Sequence, residues 1–206
     1  MSKRSLLIGA RLFFGLLTLA AIATQLAIHI QNGFSVVNFF SYFTNLSNIF
    51  AAIVMIIAAA NLFGNRKPTA TDDIIRGTSV ACMALVGIVF SILLRNEDLG
   101  ALLPWVNIVT HYVMPIAVVL DWLYQPPQSE LAVNQIAYWL IFPLLYLIYS
   151  IIRGAIIGFY AYPFFNPAKV GGHGGVLLYC IGILAVFLSV SWLLLTLGNK
   201  LQAKAI

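Results

Sequence analysis

Acidic side chains are scarce in this chain. Of 206 residues only 6 are Asp or Glu, against 11 Lys or Arg, and charged residues make up 8% of the total. A water-soluble domain carries about a quarter charged residues. With 62% hydrophobic residues and a mean hydropathy of +0.98, the composition excludes a soluble globular protein. Cysteine is nearly missing. Two residues, Cys82 and Cys180, exclude a disulfide-rich framework, and no CxxC or HExxH spacing suggests a metal site. A phosphate loop is missing as well: the glycine-rich "GGHGG" at 171–175 has neither the lysine nor the preceding strand that such a loop needs.

What the chain has instead is apolar sequence in long runs. A helix needs about 20 apolar residues to cross the hydrocarbon core. Six stretches qualify, at about 6–28, 38–62, 77–95, 103–123, 135–157 and 176–197. They predict an all-α polytopic membrane protein, one domain over 1–206 built as a bundle of six transmembrane helices. The first stretch follows Lys3 and Arg4 as a signal peptide would, but it is too long and has no small-residue cleavage site, so it is expected to be a retained helix. Loop charge sets the orientation. With both termini in the cytoplasm, the inner side holds Lys3, Arg4, Arg11, Arg66, Lys67, Arg76, Lys200 and Lys204, and the outer side only Arg95, Arg153 and Lys169. The 124–134 loop, expected inside, has no Lys or Arg. The net charge of +5 then describes a basic rim facing anionic lipid, and no nucleic-acid partner is implied. In this topology Cys82 and Cys180 lie toward opposite membrane faces, out of disulfide range.

Polar side chains inside spans face the bundle interior or a water-filled cavity. In the first span Arg11, Thr18 and Gln25 recur every seven residues, which predicts a packing seam with Arg11 snorkelling to the surface. The second opens with "FFSYFTNLSNIF" (39–50), where Ser41, Tyr42, Thr44, Asn45, Ser47 and Asn48 crowd into eight positions. Ser41, Thr44, Asn45 and Asn48 share a helical face. They either bond between helices, at roughly 1 kcal/mol each, or line a hydrated pocket. Asn45-Leu46-Ser47 fits the glycosylation sequon by letter, but it falls inside a span. In the fourth span Asn107, His111, Met114, Val118 and Asp121 share a face. Pro115 lacks the N–H that the carbonyl of His111 would bond, which predicts a kink there.

Thr44 lies six residues into its span and His111 seven, so both are expected about 9–11 Å below the outer helix ends. A hydroxyl and an imidazole at one level are the minimum parts for nucleophilic catalysis. Histidine, with a reference pKa of about 6.5, can take the threonine proton near neutral pH. Asp121 is about 15 Å further along the helix, too far to complete a triad, and Arg11 is its expected partner. Asn45, Ser47, Asn48 and Asn107 are the candidate oxyanion or substrate-binding residues. On the fifth span Tyr149 and Arg153 share a face. Arg153 is either an interfacial anchor or, with Tyr149, the holder of an anionic head such as a fatty-acid carboxylate. Tyr160, Tyr162, Pro163, Phe164 and Phe165 are expected to form an aromatic lid.

Taken in order, "SYFTNLSN" in the second span, "HYVMP" with "DWL" below it in the fourth, and "IIRG" followed by "YPFF" after the fifth resemble the androgen-induced-protein family. The resemblance covers about 38–175. That family consists of small six-helix membrane proteins, with bacterial relatives. The resemblance implies a membrane threonine hydrolase that cleaves fatty-acid esters of hydroxy fatty acids, with Thr44 as nucleophile and His111 as its partner. It implies a membrane lipid ester as substrate, no metal or organic cofactor, and a bacterial plasma-membrane location with the site toward the outer leaflet. A rival reading makes the polar cluster the lining of a lipid or small-molecule binding or transport cavity. A third makes it glue for a scaffold.

Overall fold

The computed structural model describes residues 2–97 and 101–205. Its helices are α1 (Lys3–Gln31), α2 (Val36–Phe39), α3 (Phe43–Phe63), α4 (Ala70–Leu94), α5 (Pro104–Tyr124), α6 (Ile136–Ile157) and α7 (His173–Ala205). Single 3-10 turns occur at Val133–Gln135 and Pro163–Phe165. All except α2 are long and apolar enough to cross a membrane, so the chain is an integral membrane protein with six spanning helices.

α4 is the central post, packed against α3, α5, α6 and α7, while α1 lies mainly on α3. Lipid tails are as apolar as leucine, so helices in a bilayer associate through close packing and polar bonds rather than through hydrophobic drive. α4 supplies the close packing: Ala81, Cys82 and Met83 are wholly buried, and at Gly77 the Trp139 ring occupies the place a Cβ would take.

Polar bonds hold the end that carries the termini. Arg11 donates to Asp121 through Nε (2.6 Å) and Nη2 (2.9 Å). Arg76 Nη2 donates to the same carboxylate (3.2 Å) and to the Gln125 carbonyl (2.7 Å). The expected Arg11–Asp121 pairing is present, but Arg11 does not snorkel: it is 2% exposed. With a carboxylate on the next helix, the guanidinium has its partner inside the bundle and no reason to climb to the surface. The same network explains the 124–134 loop. Gln125 is held by Arg76, and the Gln128 N–H donates to Asp73 (2.8 Å), so charge buried in α4 anchors a loop that has no cation of its own. Cys82 and Cys180 are free thiols.

At the opposite end, the second span departs from the expected continuous helix over 38–62. α2 stops at Phe39 and α3 begins only at Phe43. Gln25 on α1 ties the entrance to α5, donating to the Ala101 carbonyl and accepting from the Leu103 N–H, both at 3.0 Å.

Candidate functional site

A broken helix inside a membrane protein must find other partners for the backbone groups it frees. The polar run of 41–48 supplies them. Asn45 Nδ2 donates to the Phe39 carbonyl (2.8 Å). The Ser41 hydroxyl donates to the Val37 carbonyl (2.7 Å) and also meets the Tyr149 hydroxyl (2.9 Å). Tyr146 donates to the Ser41 carbonyl (2.9 Å). Thr44 is the second residue of α3, where backbone N–H groups lack helical acceptors. Its N–H donates to the Tyr162 hydroxyl at 3.1 Å, and its Oγ1 lies 3.1 Å from the same oxygen.

Tyr162 reaches Thr44 because the aromatic segment folds inward. α6 ends at Gly158 in the left-handed region (φ 72°). The ring of Tyr160 then lies against Gly154, in space that any Cβ would fill. Tyr162, Phe164 and Phe165 are all buried, and Tyr162 stacks on Phe164 with ring centroids 5.1 Å apart. The expected surface lid is thus a plug in the bundle. Burial pushes the Tyr162 phenol up to about 12, so it remains a hydrogen-bond donor at neutral pH.

His111 sits in a π-turn, Val109–Val113, where the Met114 N–H bonds back five residues to the Val109 carbonyl. Its ring stacks on Phe90, centroids 3.8 Å apart, and Phe90 opens a second π-turn, Phe90–Leu94. Such single π-turns cluster at functional sites. Nδ1 lies 2.6 Å from Asn107 Oδ1. An amide oxygen only accepts, so Nδ1 carries the hydrogen and Nε2 presents its lone pair. Among the described residues Nε2 has no hydrogen-bond partner.

Pro115 acts one residue away from its expected place. Because Met114 bonds to Val109 and Pro115 has no N–H, the carbonyl of Thr110 is left without a helical partner. Asn48 Nδ2 takes it at 3.1 Å while also donating to the Thr44 carbonyl at 2.9 Å. One amide therefore joins the backbone of Thr44 to the backbone next to His111.

Thr44 and His111 open onto one cavity of about 540 Å³, lined also by Gln25, His29, Asn38, Asn45 and Lys169. A second cavity of about 270 Å³ lies between α4, α6 and α7 and is almost wholly apolar, with Leu85, Leu140, Leu147, Cys180 and Phe187 in its walls. Thr44, Phe90, Leu94 and Tyr162 belong to both linings. Thr44 thus stands at the seam between a chamber with polar side chains in its walls and an oily one.

The other expected site residues are placed as follows. No hydrogen bond joins Thr44 to His111. Asn45 lines the polar cavity, but its amide is committed to Phe39. Asn107 orients His111 and lies outside both linings. Ser47 and Asn48 are wholly buried and outside both linings; exposed Tyr149 and half-buried Arg153 also lie outside both. Arg153 donates to Asn38 Oδ1 (2.7 Å) and lies over the Phe159 ring at 4.8 Å. The cation that does line the polar cavity is Lys169. Tyr162 and Phe90, both in contact with the candidate pair, were not among the expected site residues. Nothing in spacing links position 44 to 162, and only the dense aromatic run 159–165 hinted that this loop packs inside. Among the described residues no three His, Cys, Asp or Glu side chains gather as a metal site requires. No family model, curated protein or solved structure matches the chain.

Proposed function

We propose that the protein is an intramembrane lipid-ester hydrolase with Thr44 as nucleophile and His111 as general base. The observation that carries this reading is the seam. An amphiphilic ester has an acyl chain that fits an apolar chamber and a polar portion that fits a wet one, and its carbonyl then falls at the boundary, where Thr44 stands. His111, held by Asn107 in the tautomer that leaves Nε2 unprotonated, lines the same cavity. Catalytic hydrogen bonds are often long in empty sites and tighten only around substrate, so the missing Thr44–His111 bond is compatible with the role. The N-terminus of α3 directs the positive end of its dipole at Thr44, which favours the negative charge that develops there.

Thr44 Oγ1 attacks the ester carbonyl as His111 takes its proton, the alcohol leaves with that proton, and water from the polar cavity hydrolyses the acyl-threonine. Neither metal nor organic cofactor takes part. Lys169, rather than Arg153, is the cation positioned for an anionic head. The resemblance to the androgen-induced-protein family adds the same pair of residues and points to fatty-acid esters of hydroxy fatty acids, in a plasma membrane with the site toward the outer leaflet. Labelling with a fluorophosphonate probe tests the assignment: Thr44→Ala and His111→Ala are each expected to abolish it. Undiminished labelling of both variants removes the reading.

A further inference from the structure

We infer that Tyr162 is a third catalytic side chain, whose phenolic O–H donates to Thr44 Oγ1 and shares the negative charge that this oxygen acquires. The inference rests on the hydrolase reading above. The Tyr162 oxygen accepts from the Thr44 N–H at 3.1 Å, so its own single hydrogen needs an acceptor elsewhere. Among the described residues the Thr44 Oγ1 at 3.1 Å is the one it meets. The reverse assignment, with Thr44 donating, leaves a buried phenol hydrogen without a partner, which is unfavourable. With Tyr162 as donor, the hydrogen of Thr44 itself is free to point into the polar cavity that His111 lines. The pair of bonds to one residue also fixes the rotamer of the nucleophile.

The surroundings suit a neutral donor. Tyr162 is 8% exposed, meets Tyr42 edge-on at 5.7 Å and stacks on Phe164. Burial raises its phenol to about 12, so it does not ionise under ordinary conditions. In acylation the Thr44 O–H bond breaks, the proton goes to His111 Nε2 and the Oγ1–carbon bond forms. The ester C–O bond then breaks and the alcohol leaves with the His111 proton. In deacylation a water gives its proton to His111 and its oxygen bonds to the acyl carbon. The carbon–Oγ1 bond then breaks, and Oγ1 takes the proton back from His111. Charge passes through Oγ1 in both halves, and the Tyr162 hydrogen stays on Tyr162 throughout, strengthening its bond at each passage.

The test is Tyr162→Phe in the full-length detergent-purified protein, which keeps the ring stack and removes the hydroxyl. We expect kcat on a long-chain ester to fall about 10²–10³-fold, the loss typical of one donor to developing charge. KM should stay near the native value, and fluorophosphonate labelling of Thr44 should slow to match. Native kcat and labelling in this variant overturn the role of Tyr162 and leave the hydrolase reading standing. Native protein inert to both probe and ester overturns both. If Tyr162→Phe does not fold, 3,5-difluorotyrosine placed at position 162 decides, because its phenol is more acidic. An alkaline loss of activity that the native protein lacks is expected, and an unchanged pH profile overturns the inference.

Discussion

Asp121 is the residue on which the far end of the bundle depends. It holds two buried guanidiniums, Arg11 and Arg76. Removing one partner of a buried ion pair leaves an uncompensated charge and costs about 3–5 kcal/mol. Asp121→Ala is therefore expected to destabilise the protein by about that much in chemical unfolding from detergent. Arg11→Met should cost less, because Asp121 keeps Arg76. Equal losses for the two variants would show that the carboxylate is not shared. The sequence made Arg11 and Asp121 legible as a pair from their common depth. It did not reveal Arg76 as the third member, because the approach of α4 to α5 depends on close contacts such as that of Gly87 with Pro115.

At the scale of the element, two irregular helices share one repair. α3 begins late and α5 carries a π-turn, and Asn48 bonds a carbonyl from each. Truncating Asn48 to Ala strands the Thr110 carbonyl, an expected loss of about 1–3 kcal/mol in thermal or chemical unfolding. Pro115→Ala restores a backbone N–H at position 115, so in the Asn48→Ala background it should recover part of that stability, whereas in the native background it should not stabilise. Additive behaviour of the two substitutions would refute the shared repair. Placement of the aromatic plug turns on one glycine. Gly154→Ala puts a methyl where the Tyr160 ring lies, and it is expected to lower ester turnover by displacing Tyr162 while leaving α6 helical by circular dichroism. Proline and the polar run announced irregularity in the sequence. Which carbonyl would be freed depended on the π-register, in which His111 stacks on Phe90.

The whole molecule has two chambers that share Thr44 in their walls. Under the proposed hydrolase reading, an acyl chain entering the apolar chamber leaves lipid, not water, so hydrophobic transfer gives little affinity there and shape decides what fits. Cys180 lies in the wall of that chamber. Cys180→Trp should shorten it and shift preference toward short acyl chains, with turnover of long-chain esters falling about tenfold or more relative to short ones, as expected when a pocket must reject extra methylenes. A chain-length series on p-nitrophenyl esters measures this, and an unchanged profile would mean that the acyl chain lies elsewhere.

Composition and run length alone determined that this chain lies in a membrane as six helices, because charge is too scarce for water and each apolar run matches the hydrocarbon thickness. Residue type and depth also brought Thr44 and His111 into one hypothesis. Tertiary structure decided what surrounds them: Tyr162 on the Thr44 hydroxyl, Asn107 on the imidazole, Arg153 turned to Asn38, and an apolar chamber meeting a polar one at Thr44. Hydropathy is a sum over a segment and can be read locally. A hydrogen bond between residues 44 and 162 depends on how a loop folds back over a helix end, and no local pattern encodes that.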